Sequence, residues 1–187
     1  FGNRESLVLN PTWTKGTMAG SIFYSIPMDN RGTRIGVSYS ENQTEIISGT
    51  YQSMDIVGDS RDVGLTITHP YVVKEKRKAD VFGEIHWKNS STDFFGNTLL
   101  DSKVKTATIG SSERITDEKG VWYSQYSFTG ISATQKQAYD EKNFWRFNLS
   151  AVRQQVLANE RNLIWRLSAQ LSDNSQLPSS EQFSLGG

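Results

Sequence analysis

The chain has 187 residues, with 20 Lys and Arg against 20 Asp and Glu, two His, four Pro and no Cys. A formal net charge of zero removes the electrostatic footprint of a nucleic-acid binder, and the lack of cysteine excludes disulfide scaffolds, thiol nucleophiles and zinc fingers. The mean hydropathy of −0.52 comes with no apolar run near 18 residues, which excludes a transmembrane helix but not a transmembrane strand of about 9–11 alternating residues.

Alternation of apolar with polar residues dominates the chain and predicts strands. Residues 6–13 and 18–26 come first. A long stretch at 33–53 follows, in which Ile35, Val37 and Tyr39 oppose Arg34, Gly36 and Ser38. Residues 60–69 set Val63, Leu65 and Ile67 against Asp62, Gly64 and Thr66. In 79–88, Val81, Gly83, Ile85 and Trp87 oppose Asp80, Phe82, Glu84, His86 and Lys88. Segments 102–114 and 121–131 are strand-like without a clear inward face. In 143–155, Trp145, Phe147, Leu149 and Ala151 alternate with Arg146, Asn148 and Ser150. In 162–172, Leu163, Trp165, Leu167, Ala169 and Leu171 alternate with Arg166, Ser168 and Gln170. The helix formers at 150–160 directly continue a strand, so they read as its end and a turn. One more strand, beginning at 181, brings the expectation to about ten. Short turns are expected at 29–32, 73–78, 117–120 and 158–161, and longer polar connections around 54–59, 89–100, 132–142 and 172–180. Tight turns at one end and long loops at the other are the order of an all-β, antiparallel, up-and-down transmembrane β-barrel.

A soluble β-sandwich binding module shows the same alternation with one face turned to a dry core, and it stays open at this level. Two features favour the membrane. Strands recur roughly once per 19 residues, looser than the 8–12 spacing of a sandwich. Tyr24, Tyr39, Trp87, Trp145 and Trp165 lie on the apolar face near strand ends, as rings at lipid headgroups do. On this reading Arg34, Glu84, Lys88, Arg146, Arg166 and Gln170 face a watery lumen, which offers a passing chain weak multi-point contacts and no dry apolar site. Enzyme signatures are missing: no G-x-S-x-G, P-loop, G-x-G-x-x-G or H-E-x-x-H occurs. His69 and His86 lack metal-ligand spacing, so no metal, cofactor or small-molecule substrate is expected. The basic run Lys74, Lys76, Arg77 and Lys78 reads as a solvated turn, with anionic headgroups as the other reading.

The final segment, residues 177–187 (LPSSEQFSLGG), resembles the "LPSSEQFxLGG" segment of the two-partner secretion outer-membrane transporters. These form the haemolysin activation/secretion protein family of the BamA-like superfamily. Tyr24-Ser25-Ile26-Pro27-Met28 with Gly32-Thr33 is similar to the family's "Y-S-x-P-[LM]…G-[TS]" periplasmic hairpin. Gly58-Asp59-Ser60 with Leu65 and Pro70 is similar to its return strand, and Gln170 to a Gln preceding the "LPSSEQF" segment. Together the marks span roughly residues 20–187.

The resemblance implies a sixteen-stranded barrel, of which these strands are an internal piece. POTRA domains, a plug helix, a V-R-G-[YF] loop and the closing C-terminal strands are then expected outside this chain. It implies export of a large secreted partner protein of haemolysin or adhesin type across the bacterial outer membrane, without nucleotide hydrolysis, enzymatic activity or a cofactor. Glu181, Gln182, Phe183, Gly186 and Gly187 are implied to lead into the pore loop. The rival that the resemblance leaves open is a BamA-like assembly factor of the same superfamily.

Overall fold

The computed structural model describes residues 4–50, 52–135, 140–157 and 161–173. Nine strands follow one another: β1 (Ser6–Thr14), β2 (Thr17–Pro27), β3 (Arg34–Glu45), β4 (Val57–Lys74), β5 (Arg77–Phe94), β6 (Asn97–Asp117), β7 (Gly120–Gln135), β8 (Asp140–Val156) and β9 (Asn162–Ser172). They form one sheet in sequence order, each strand antiparallel to the next. A 3-10 turn at Gln52–Met54 interrupts the pattern between β3 and β4. Among the described residues the sheet is open, with β1 and β9 each paired on one side. One continuous sheet is not a sandwich of two packed ones.

Strand positions follow the alternation, and the connections depart from it in three places. The third strand ends at Glu45, not near 53, because the chain folds back there, the Ile46 amide donating to the Ile56 carbonyl at 3.2 Å. Residues 89–100 are not a long loop: β5 and β6 continue through them to a two-residue turn at Phe95 and Gly96. Both turn residues have positive φ (50° and 72°), the twist that matches a hairpin. Likewise β7 and β8 extend to Gln135 and from Asp140, shortening the connection expected at 132–142. The strand expected from 181 lies outside the described residues.

Register carries the alternation across the sheet. One row joins Val37, Leu65, Ile85, Ala107, Gly130 and Trp145, and the next joins Gly36, Thr66, Glu84, Thr108, Thr129 and Arg146. Exposure is inverted relative to a soluble fold. Val37, Leu65 and Ile85 are 44–45% exposed, whereas Thr129 is 1% and Thr106 5% exposed. Among the described residues no second layer covers either face, so this difference reflects curvature: the polar face is concave and shields itself, and the apolar face is convex.

The apolar band also drifts along the strands. The row through Val37 meets β5 at Ile85, whereas the row through Leu167 meets it at Ala79, six residues away. Six residues rise about 20 Å and six strand steps span about 29 Å, so a level band requires strands tilted by about 35°. On β9 the outward run Leu163, Trp165, Leu167, Ala169 and Leu171 covers about 26 Å of strand, or about 22 Å along a tilted axis. That matches the apolar band of a membrane barrel, about 25 Å tall.

Candidate functional site on the concave face

All six lumen candidates share the concave face. Arg34 and Gln170 lie in one row, which runs through Thr68, Phe82, Gly110, Ser127 and Asn148. Glu84 and Arg146 share the next row on the same face, Lys88 lies four residues beyond Glu84 toward the loop end, and Arg166 lies near the turn end on β9. The residues are spread over the wall and do not converge on a centre. Arg34 is fixed locally, its guanidinium donating to Ser25 Oγ at 2.8 Å and to the Ser25 carbonyl at 3.2 Å.

Several contacts on this face were not legible from alternation. Thr108 and Thr129 hydroxyls meet at 2.9 Å across β6 and β7. His86 Nδ1 lies 3.0 and 3.1 Å from the two Asp62 carboxylate oxygens, which settles His86 as a polar residue satisfied by its neighbour strand. The face is also not uniformly wet. Val104, Ile131, Ala133 and Phe144 form a buried apolar cluster there, at 3–6% exposure. Cross-strand pairing explains it: Val104 faces Ala133 and Ile131 faces Phe144, so four small-to-large apolar groups close on one another. The expectation of no dry apolar patch is corrected accordingly.

The five aromatic candidates all lie on the convex face. Tyr39 and Trp87 share a row, Trp145 stands in the next row of the same face, and Trp165 lies at the other end edge-to-face with Trp122 at 4.9 Å. Tyr24 sits between Ile22 and Ile26, within the apolar run rather than at its end. Glu181, Gln182, Phe183, Gly186 and Gly187 lie outside the described residues. Small residues Gly83, Ala107 and Gly130 leave a shallow, mostly apolar depression on the convex face.

The two ends of the sheet differ. At one end, β5 and β6 overshoot the apolar band by seven residues or more past Trp87, with polar groups on both faces. At the other, connections are tight. Residues 28–33 form a turn closed by Asp29, whose carboxylate accepts from the Thr33 hydroxyl at 2.6 Å and from the Thr33 and Arg31 amides at 2.9 Å. These bonds, chiefly the Thr33 hydroxyl, hold the Asp29 carboxyl below its ordinary pKa. With its proton given to Asp29, the Thr33 oxygen accepts from His69 Nδ1 at 2.8 Å. Among the described residues no group of three or more His, Cys, Asp or Glu is placed to hold a metal.

A tilted, inside-out, up-and-down sheet with a polar concave wall defines a segment of a transmembrane-type β-barrel. The chain matches the family described as haemolysin secretion/activation protein ShlB/FhaC/HecB over residues 8–187, and it belongs to that family. Among solved structures it is similar to CdiB from Acinetobacter baumannii, with a TM-score of 0.61 and 18% identity, over 91% of this chain and 32% of that one. The chain therefore spans about a third of that protein's length, and at this identity the likeness is one of fold. None of the curated proteins compared with it matches.

Proposed function

We propose that this segment is part of the wall of a bacterial outer-membrane pore that exports a large secreted partner of haemolysin or adhesin type by two-partner secretion. The convex face meets lipid, the concave face meets a water-filled passage, and the overshooting hairpins project outside the cell while the tight turns face the periplasm. Extended polypeptide passes along a hydrated wall of hydroxyls and scattered charges, and no nucleotide is hydrolysed on it. The observation that carries this reading is the inverted exposure of the two faces. Family membership favours export over the assembly of other barrels, the function of the BamA-like rival.

The lack of native cysteine in this chain makes the test direct. In the full-length transporter in cells, single cysteines at Thr66 and Glu84 should react with a charged thiol reagent. Cysteines at Leu65 and Ile85 should resist it, and their attached fluorophores should be quenched by brominated lipid. The partner should reach the medium only when the transporter is present. The reverse labelling pattern, or export that persists without the transporter, overturns the proposal.

A further inference from the structure

We infer that the turn end of the concave face is a cationic rim that captures acidic segments of the polypeptide being exported, an inference that rests on the export reading above. One ladder row on that face joins Lys78 of β5, Arg114 of β6, Tyr123 of β7, Val152 of β8 and Arg166 of β9. It holds three cations, one phenol and no carboxylate. Lys78, Arg114 and Arg166 are all exposed, and none takes part in the ion pairs found among the described residues. Asp80, one step inward from Lys78 on the same face, makes no ion pair with it.

The convex face at the same level is built differently. Arg77 is bonded to the Glu113 carboxylate, and Arg153 donates to both Asp117 oxygens at 2.7 and 3.0 Å. Outward cations are therefore neutralised in place, while inward ones are left open. The open arrangement is unfavourable for the sheet itself, because Lys78 and Arg114 are directly opposed like charges on neighbouring strands. In a narrow mouth with low-dielectric walls such a row focuses a positive field into the opening. The missing counter-charge then comes from what enters. A polypeptide arriving unfolded presents its carboxylates without a fold to hide them. Tyr123, 41% exposed in the middle of the row with its hydroxyl donating to Gln125 Oε1 at 3.2 Å, adds an apolar ring surface beside them.

The test uses the full-length transporter in planar bilayers, with decaglutamate, decalysine or a neutral Gly-Ser decapeptide added on the turn side. Decaglutamate should block the conductance, more weakly as salt rises, while the other two peptides should not. The triple variant K78Q/R114Q/R166Q should weaken the block about tenfold, and R114Q alone about twofold, as befits exposed charge contacts. The convex-face variant R77Q/R153Q should leave the block unchanged. A conducting pore that neutral peptide blocks equally, or whose block survives the triple substitution, overturns this inference. A transporter that folds and forms no conducting pore overturns the export reading instead.

Discussion

Glycine at positions 36, 64 and 110 is where a side chain from the next strand lies over the backbone of the concave face. A Cβ at Gly36 would fall 2.8 Å from the Phe23 ring. At Gly64 it would fall 2.3 Å from Ser38 Oγ and 2.7 Å from the His86 ring, and at Gly110 2.4 Å from the Phe82 ring and 2.6 Å from the Tyr126 carbonyl oxygen. The backbone oxygen cannot yield as a flexible side chain does, so Gly110→Ala in the full-length transporter should cost about 1–3 kcal/mol in a urea titration. Gly20 has nothing within 4 Å of such a Cβ, and Gly20→Ala should stay within about 0.5 kcal/mol. Equal effects at the two sites would refute the close-approach account. At the β2–β3 turn the sign of the pH effect follows from Asp29. Its folded pKa is depressed, so its contribution is present above about pH 4 and is lost as pH falls through the folded value. Exchange protection of the Thr33 amide, corrected for intrinsic rate, should therefore fall on acidification, and in Asp29→Asn it should be reduced already at pH 7. The glycines themselves are visible in the sequence. Which of them are covered is not, because the covering ring comes from a neighbouring strand through the register.

Hairpin β5–β6 shows what each strand can and cannot reveal about itself. Its tip places Phe95 at φ 50°, a conformation that costs a non-glycine residue about 1–2 kcal/mol, beside Gly96 at φ 72°. Phe95→Gly should relieve that cost and raise the full-length transporter's resistance to urea by about 1 kcal/mol, less what is lost from the edge-to-face contact with Phe94 at 4.7 Å. A clear destabilisation would mean that the ring contact outweighs the backbone strain. Alternation located the lower half of this hairpin and missed the upper half for one physical reason. Between Ile85 and Val81 one face meets an apolar environment and the other a polar one, so the period of two is visible. From Asn89 to Thr92 both faces are polar, and a strand there is written in the same residues as a loop. The upper ends of β7 and β8 were hidden differently: polar residues such as Thr134 and Lys142 mask the period there, and the apolar groups Ile131, Ala133 and Phe144 meet only through the register. Faces on β6 and β7 were ambiguous because Ala107, Gly110 and Gly130 supply little contrast, and only pairing with β5 and β8 assigns them. The lumen and aromatic candidates on β3, β5, β8 and β9 could be placed on their faces from sequence because contrast there is strong. Asp62, Thr129 and the cationic row required the register.

At the scale of the whole molecule two consequences follow from an open, tilted sheet. Among the described residues both edges expose unpaired backbone groups, which hydrocarbon cannot satisfy, so the isolated 187-residue chain should not fold in detergent to a heat-modifiable, protease-resistant monomer. Recovery of such a monomer would mean that the edges find partners within the chain. The tilt makes a sharper demand. If the strands stood upright, residues in one ladder row would share one depth in the bilayer, and Val37 and Trp145, joined by a single row from β3 to β8, would be level. With a tilt of about 35°, five strand steps of about 4.8 Å separate them by about 14 Å in depth. Val37 and Leu167, six residues apart in register, then become level, because the drift of the band compensates the tilt. Spin labels at the three positions of the full-length transporter, read by their accessibility to oxygen and to a water-soluble nickel complex, distinguish the two geometries. Matching depths for Val37 and Leu167, with Trp145 nearer the loop end, are expected. Matching depths for Val37 and Trp145 would require upright strands, and the convex apolar band would then run obliquely out of the membrane, leaving Leu163 and Trp165 in water.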